Sequence, residues 1–196
     1  MSEPIHVDRR ILLLMGHVGP LPSEDSRVTD VARFAVLHDA AESLLTSLDR
    51  GYLVERRESK EQASDDGPLV RTVWLVPHTP AAATLAVGFS DFPKIILRGG
   101  RWYQHTLPSC GCDACGDDPE ILVTELRTHA TALVEGGLWE RVRRGVGGSW
   151  SETLLVGPDF RASQQAPLTA AEARAARREG LAAAVQWAPW PSRRTS

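Results

Sequence analysis

Between residues 53 and 107 the chain carries five short β-type segments: Leu53 to Arg57, Val70 to Val76, Thr84 to Phe89, Lys94 to Arg98 and Arg101 to Leu107. Runs this short, rich in Val, Ile, Leu and aromatic residues and bounded by turn formers, read as strands rather than helices. Gly99-Gly100 reads as a two-residue hairpin turn, because glycine tolerates the positive φ such turns need. The prediction is an antiparallel β-meander of about four strands, with Leu53 to Arg57 a candidate for an additional first strand. Residues 58–68 are charged, contain Gly67 and Pro68, and read as a mobile loop.

A sheet must bury at least one face, and the flanking sequence supplies helices to do it. After Thr29-Asp30, a capping pair, apolar residues recur at Val31, Phe34, Leu37, Ala41, Leu44, Leu45, Leu48 and Tyr52, which is helical spacing. Gly51 marks the end of that helix. A second helix starts at Asp118-Pro119, with Asp as N-cap and Pro at the first helical position; its stripe is Leu122, Leu126, His129 and Leu133, and Gly136-Gly137 stops it. Trp139 to Arg143 and Trp150 to Val156 flank a Gly-rich turn and read as a second hairpin. Thr169 and Glu172 form a capping box that opens an Ala-rich helix running to about Val185. The fold class is therefore α+β, a meander packed against helices with a C-terminal hairpin and helix.

At 196 residues and 42% apolar content, one core can support one domain. The expected organisation is a flexible arm over 1–27, a single domain over 28–186 and a Trp/Pro-rich tail over 187–196. Trp187 and Trp190 in that tail either dock a partner or fold back over the domain. Net charge is −3 and no basic stripe is visible, so nucleic acid is not an expected partner. The Arg174, Arg177 and Arg178 group is diluted by Glu172 and Glu179. Ile11 to Met15 is too short for a signal core, and no apolar run reaches bilayer length, so no membrane partner is expected and the location is read as cytoplasmic.

The chemically distinctive feature is Cys110-Gly-Cys112-Asp-Ala-Cys115. An odd number of cysteines within six positions is a poor disulfide framework. Thiolates at these spacings can converge on one point where Gly111 lets the backbone fold tightly, and zinc takes four ligands drawn largely from Cys and His. His105 is the first candidate for the fourth ligand and His129 the second. Asp113, Asp117 or a water can also complete the sphere. Asp113, Asp117, Asp118 and Glu120 surround the turn; carboxylates raise a thiol's pKa, which disfavours a reactive thiolate and favours a bound cation. Cys112 and Cys115 have the spacing of a redox pair, but outside a βαβ unit.

The stretch Arg27-Val-Thr-Asp30, Arg33-Phe34, Leu37-His38, Phe89-Ser-Asp-Phe92-Pro93 and the Cys-Gly-Cys-Asp-Ala-Cys string together resemble a family of uncharacterised bacterial, mainly actinobacterial, proteins. The resemblance spans roughly residues 25 to 143 and implies no established activity.

Three functional readings stand at this level. The first is a domain with a structural zinc knuckle that presents a surface to a protein partner. The second is a small metal-dependent enzyme using an open site made of the three cysteines, with or without a histidine. The third is an inhibitor or immunity-type binding protein whose cysteines are inert and packed. His38 lies beside the apolar stripe of the first helix and reads as a core-edge hydrogen-bonding residue or a general base. Arg98, Arg101 and Tyr103 around the Gly-Gly turn read as a solvated hairpin tip or an anion site. No G-x-S-x-G elbow, P-loop, H-E-x-x-H or complete dinucleotide fingerprint is present.

Overall fold

The computed structural model describes residues 30–60 and 69–193. The expected arm over 1–27 and most of the loop expected over 58–68 lie outside the described residues.

Five antiparallel strands form the first sheet in the order of the chain: β1 (Val54–Ser59), β2 (Leu69–Pro77), β3 (Leu85–Ser90), β4 (Ile95–Gly99) and β5 (Tyr103–Leu107). The meander is thus real, and Leu53 to Arg57 does seed an additional strand. Alternation decides which side is buried. The register row Val73, Val87, Leu97, His105 and the neighbouring Leu75, Leu85 and Tyr103 share the face that enters the main core. Helices α1 (Ala35–Gly51) and α2 (Pro119–Val134) cover it. Asp30 caps a 3-10 turn (Val31–Phe34) ahead of α1, its carboxylate accepting from the Arg33 amide at 3.2 Å. Phe34, Leu37, Ala41 and Leu45, all fully buried, form the inward stripe. Asp118 caps α2, accepting from the Glu120 amide at 2.8 Å, with Pro119 at the first helical position.

A second antiparallel sheet has the order β8 (Arg161–Leu168), β7 (Gly148–Val156), β6 (Leu138–Gly145), β9 (Val185–Gln186). Helix α3 (Ala170–Arg178) packs on it through Ala173 and Ala176, which join Val142 and Leu181 in a smaller apolar cluster. The capping box is present as expected, with Thr169 and Glu172 bonded reciprocally. The helix stops at Arg178 rather than near Val185. Gly180 adopts φ +92, and the Leu181 amide bonds back to the Ala176 carbonyl, so the chain turns off the axis and Val185 joins β6 as a short edge strand.

Beyond the shared core, Gln164 and Glu140 tie the two sheets together. Gln164 of β8 reaches β5, its side-chain oxygen accepting from the Gln104 amide at 3.2 Å while its side-chain nitrogen donates to the Gln104 carbonyl at 2.5 Å. On the open edge of β5, the backbone groups of Gln104 are thereby satisfied by a side chain instead of another strand. Glu140 of β6 is fully buried. Its carboxylate accepts from the amides of Arg101 (3.0 Å) and Trp102 (2.8 Å) and from the indole N–H of Trp187 (2.8 Å). The Gly99-Gly100 hairpin therefore differs from expectation. Gly99 pairs with Tyr103, which leaves Gly100, Arg101 and Trp102 as a three-residue loop wrapped around a buried carboxylate. Tyr103 is buried, and the Arg101 guanidinium pairs with Glu179. Burial pushes the Glu140 pKa up, and the donated hydrogen bonds oppose that rise.

The Trp-rich end folds back over the domain. Trp190 is 4% exposed, its amide donating to the Val134 carbonyl and its indole N–H to the Ala83 carbonyl, both at 2.8 Å. No described helix is long and apolar enough to cross a membrane.

Candidate metal centre

The β5-to-α2 connection is built from residues that keep a chain tightly folded. Gly111 has φ +84, and a Cβ there would press on the Phe92 ring, so glycine is required twice over. Asp113–Cys115 forms a 3-10 turn that ends at Gly116 in the left-handed region, φ +62, with the Gly116 amide bonded to the Asp113 carbonyl. The three cysteine side chains consequently point to one spot. Cys110 Sγ and Cys115 Sγ each lie 3.2 Å from Cys112 Sγ, and all three sulfurs are within 4.8 Å of one another. Cys112 is buried; Cys110 and Cys115 are exposed.

Three thiols this close cannot all lose their protons without a cation. The Cys115 pKa is pushed up to about 12, first by its hydrogen bond with Cys112, then by that with Cys110, with desolvation and the neighbouring sulfur charges adding to it. The direction agrees with the sequence argument, but the cause is the other two sulfurs and not the surrounding carboxylates. A divalent ion reverses that balance by stabilising the thiolate form of each ligand. Sulfurs on a tetrahedral zinc at about 2.3 Å stand roughly 3.8 Å apart, so the triad needs a small outward movement to accept one.

The candidates for a fourth ligand are distributed as follows. His105 and His129 stand away from the sulfurs, in a second group with Glu125 whose ligand atoms also lie within 4.8 Å of one another. His105 Nε2 lies 2.9 Å from Glu125 Oε1. The Tyr103 hydroxyl lies 2.6 Å from His129 Nδ1. His105 faces α2 because it sits on the core side of β5, in register with Leu97, whereas the cysteine turn begins past the end of that strand. Asp113 lies near Arg33, 4.0 Å from its Nη1, and Arg33 in turn covers the Phe34 ring at 4.5 Å. Asp117 has one carboxylate oxygen, Oδ2, buried without a hydrogen-bond partner among the described residues. His38 is apart from both groups, 3.4 Å from the Lys94 carbonyl and edge-on to Phe89.

The second group is only half legible in the sequence. Both histidines are visible there as candidates, but Glu125 is not singled out. Its signal is the Glu125-Leu-Arg-Thr-His129 spacing, which places both side chains on one helix face. His129 is 8% exposed, and burial, followed by the neighbouring His105, lowers its pKa to about 4. Its ring stacks on Phe160, with centroids 4.6 Å apart and planes within 2°.

No curated protein and no solved structure matches the chain. A family model described as a family of unknown function (DUF6226) matches residues 15–194. That match covers both sheets, all three helices, the cysteine turn and the folded-back tryptophans, and the chain belongs to this family.

Proposed function

We propose that Cys110, Cys112 and Cys115 hold a structural zinc ion that fastens the end of the first sheet to the start of α2. The observation that carries this reading is the convergence of three sulfurs within 4.8 Å on a turn of six residues. Thiolate is the soft donor that zinc favours, and a knuckle at a strand-to-helix junction ties two core-forming elements together. Cys110 and Cys115 are exposed, so the fourth position opens outward, to be filled by water or by a side chain of a protein partner. That exposure also supports the alternative of a small metal-dependent enzyme, in which the ion acidifies a bound water.

Protein purified without chelator is expected to carry zinc, to lose the thiolate-bound ion on Cys112→Ser, and to unfold at a lower temperature when the metal is removed. A protein that is folded, metal-free and unchanged in melting temperature by chelator would overturn the reading. Cys110→Ser separates the two roles of the ion, since a structural zinc lowers the melting temperature when weakened and a purely catalytic one does not.

A further inference from the structure

The geometry points to a second cation site of different chemistry, in which His105, Glu125 and His129 bind a first-row divalent ion at the β5–α2 interface. This goes beyond the cysteine knuckle and does not depend on it.

The ligands come from two rigid elements. Glu125 and His129 are four residues apart on α2, one turn of helix, and project from the same face. His105 comes from the core side of β5, which that face of α2 covers. The three ligand atoms lie within 4.8 Å of one another. Ligands on a tetrahedral ion at about 2.0–2.1 Å stand roughly 3.3 Å apart, so the 2.9 Å between His105 Nε2 and Glu125 Oε1 opens by about 0.4 Å to admit one. Two imidazoles and a carboxylate are a donor set suited to zinc or iron(II), and three protein ligands leave further positions free.

The surroundings fix the orientation of the ligands, as hydrogen-bond partners behind metal-binding histidines generally do. Tyr103 grips one nitrogen of His129 at 2.6 Å, and Phe160 stacks flat on the same ring. The His129 ring also lies 4.3 Å from that of His105, tilted by 32°. One wall of the site is thus closed by the buried Tyr103 and the partly buried Phe160. The other is reachable, since the side chains of His105 and Glu125 are 24% and 37% exposed. A bound ion would be anchored on the buried side and would meet solvent, or a small anionic ligand, on the open side.

Cobalt(II) titration of the full chain, stripped of metal and followed by equilibrium dialysis and absorption, tests the assignment. Wild type is expected to take up about two equivalents, one of them with a thiolate charge-transfer band. The Cys110→Ser/Cys112→Ser/Cys115→Ser chain should retain about one equivalent without that band. In the chain with its cysteines intact, His105→Asn with Glu125→Gln should remove one equivalent and leave the band unchanged; these partly exposed positions keep polar side chains and spare the fold. Uptake that is unaffected by the His105→Asn/Glu125→Gln pair overturns the second site, even where the cysteine variant fails to fold. Absence of the thiolate band overturns the knuckle and leaves the second site standing or falling on its own equivalent.

Discussion

The cysteine turn forms the connection between β5 and α2, and the histidine cluster is drawn from the two elements it joins, yet they are built in opposite ways. The turn takes all of its ligands from six consecutive residues, and two left-handed glycines, Gly111 and Gly116, aim them. The cluster joins residues 20 and 24 positions apart (His105 to Glu125, His105 to His129), and exists only because α2 packs across β5. One is a local motif that shapes its surroundings; the other is a product of tertiary packing. The difference predicts that perturbing the packing damages the cluster first, while removing metal from the turn damages the packing.

The largest expected effect is on the turn. An ion present at about 1,000 times its dissociation constant stabilises the folded chain by about 4 kcal/mol, so stripping it should lower the melting temperature by about 8–16 °C. A scan with and without chelator checks this. The absence of any shift would mean that the turn does not organise the junction.

Next in size is Glu140→Ala, which strands the amides of Arg101 and Trp102 and the Trp187 indole in a buried site. We expect a loss of about 3 kcal/mol in denaturant unfolding. The sharper readout is cobalt: the thiolate band should persist, because the turn is local, while the His105–Glu125–His129 equivalent weakens, because Tyr103 follows directly on the loop that Glu140 holds. Loss of both signals together would erase the distinction between the regions.

Acid tests the cluster by itself. The folded pKa of His129 is depressed to about 4, so its contribution is present above the unfolded value near 6.5 and is lost as pH falls through about 4. In the presence of chelator, wild type should lose roughly 3 kcal/mol over this interval relative to His129→Gln. Glu140 runs the other way: its raised pKa favours the fold at low pH, and that share is lost as pH rises through its folded value. Parallel pH profiles for wild type and His129→Gln would contradict the buried neutral imidazole. The smallest effect belongs to Tyr103→Phe, which removes the hydroxyl beside His129 Nδ1 and should cost about 1–2 kcal/mol in equilibrium unfolding.

The same local-versus-tertiary contrast explains what can be read from the sequence. Asp118-Pro119, the Thr169–Glu172 capping box, the meander and the cysteine convergence all depend on neighbours in sequence, and each is where its pattern puts it. Strand β8 carries no such signal, because Arg161–Leu168 is a mostly exposed polar edge whose pairing with β7 supplies the order that its own pattern lacks. The alanines beyond Arg178 overstate the length of α3, which Gly180 ends. Glu140 and Glu125 are hidden for a shared reason: a glutamate in a charged stretch normally faces water, and only partners brought from elsewhere in the chain make it a buried clamp or a candidate ligand. Sequence proximity points His105 at the sulfurs, whereas strand alternation and the packing of α2 direct it to Glu125.

Convergence of three thiolates on one ion is read directly by cobalt(II) absorption. The predicted result is a thiolate-to-metal band that saturates at about one equivalent and vanishes in the Cys110→Ser/Cys112→Ser/Cys115→Ser chain. A folded wild-type protein that binds cobalt without such a band, or does not bind it, would contradict it.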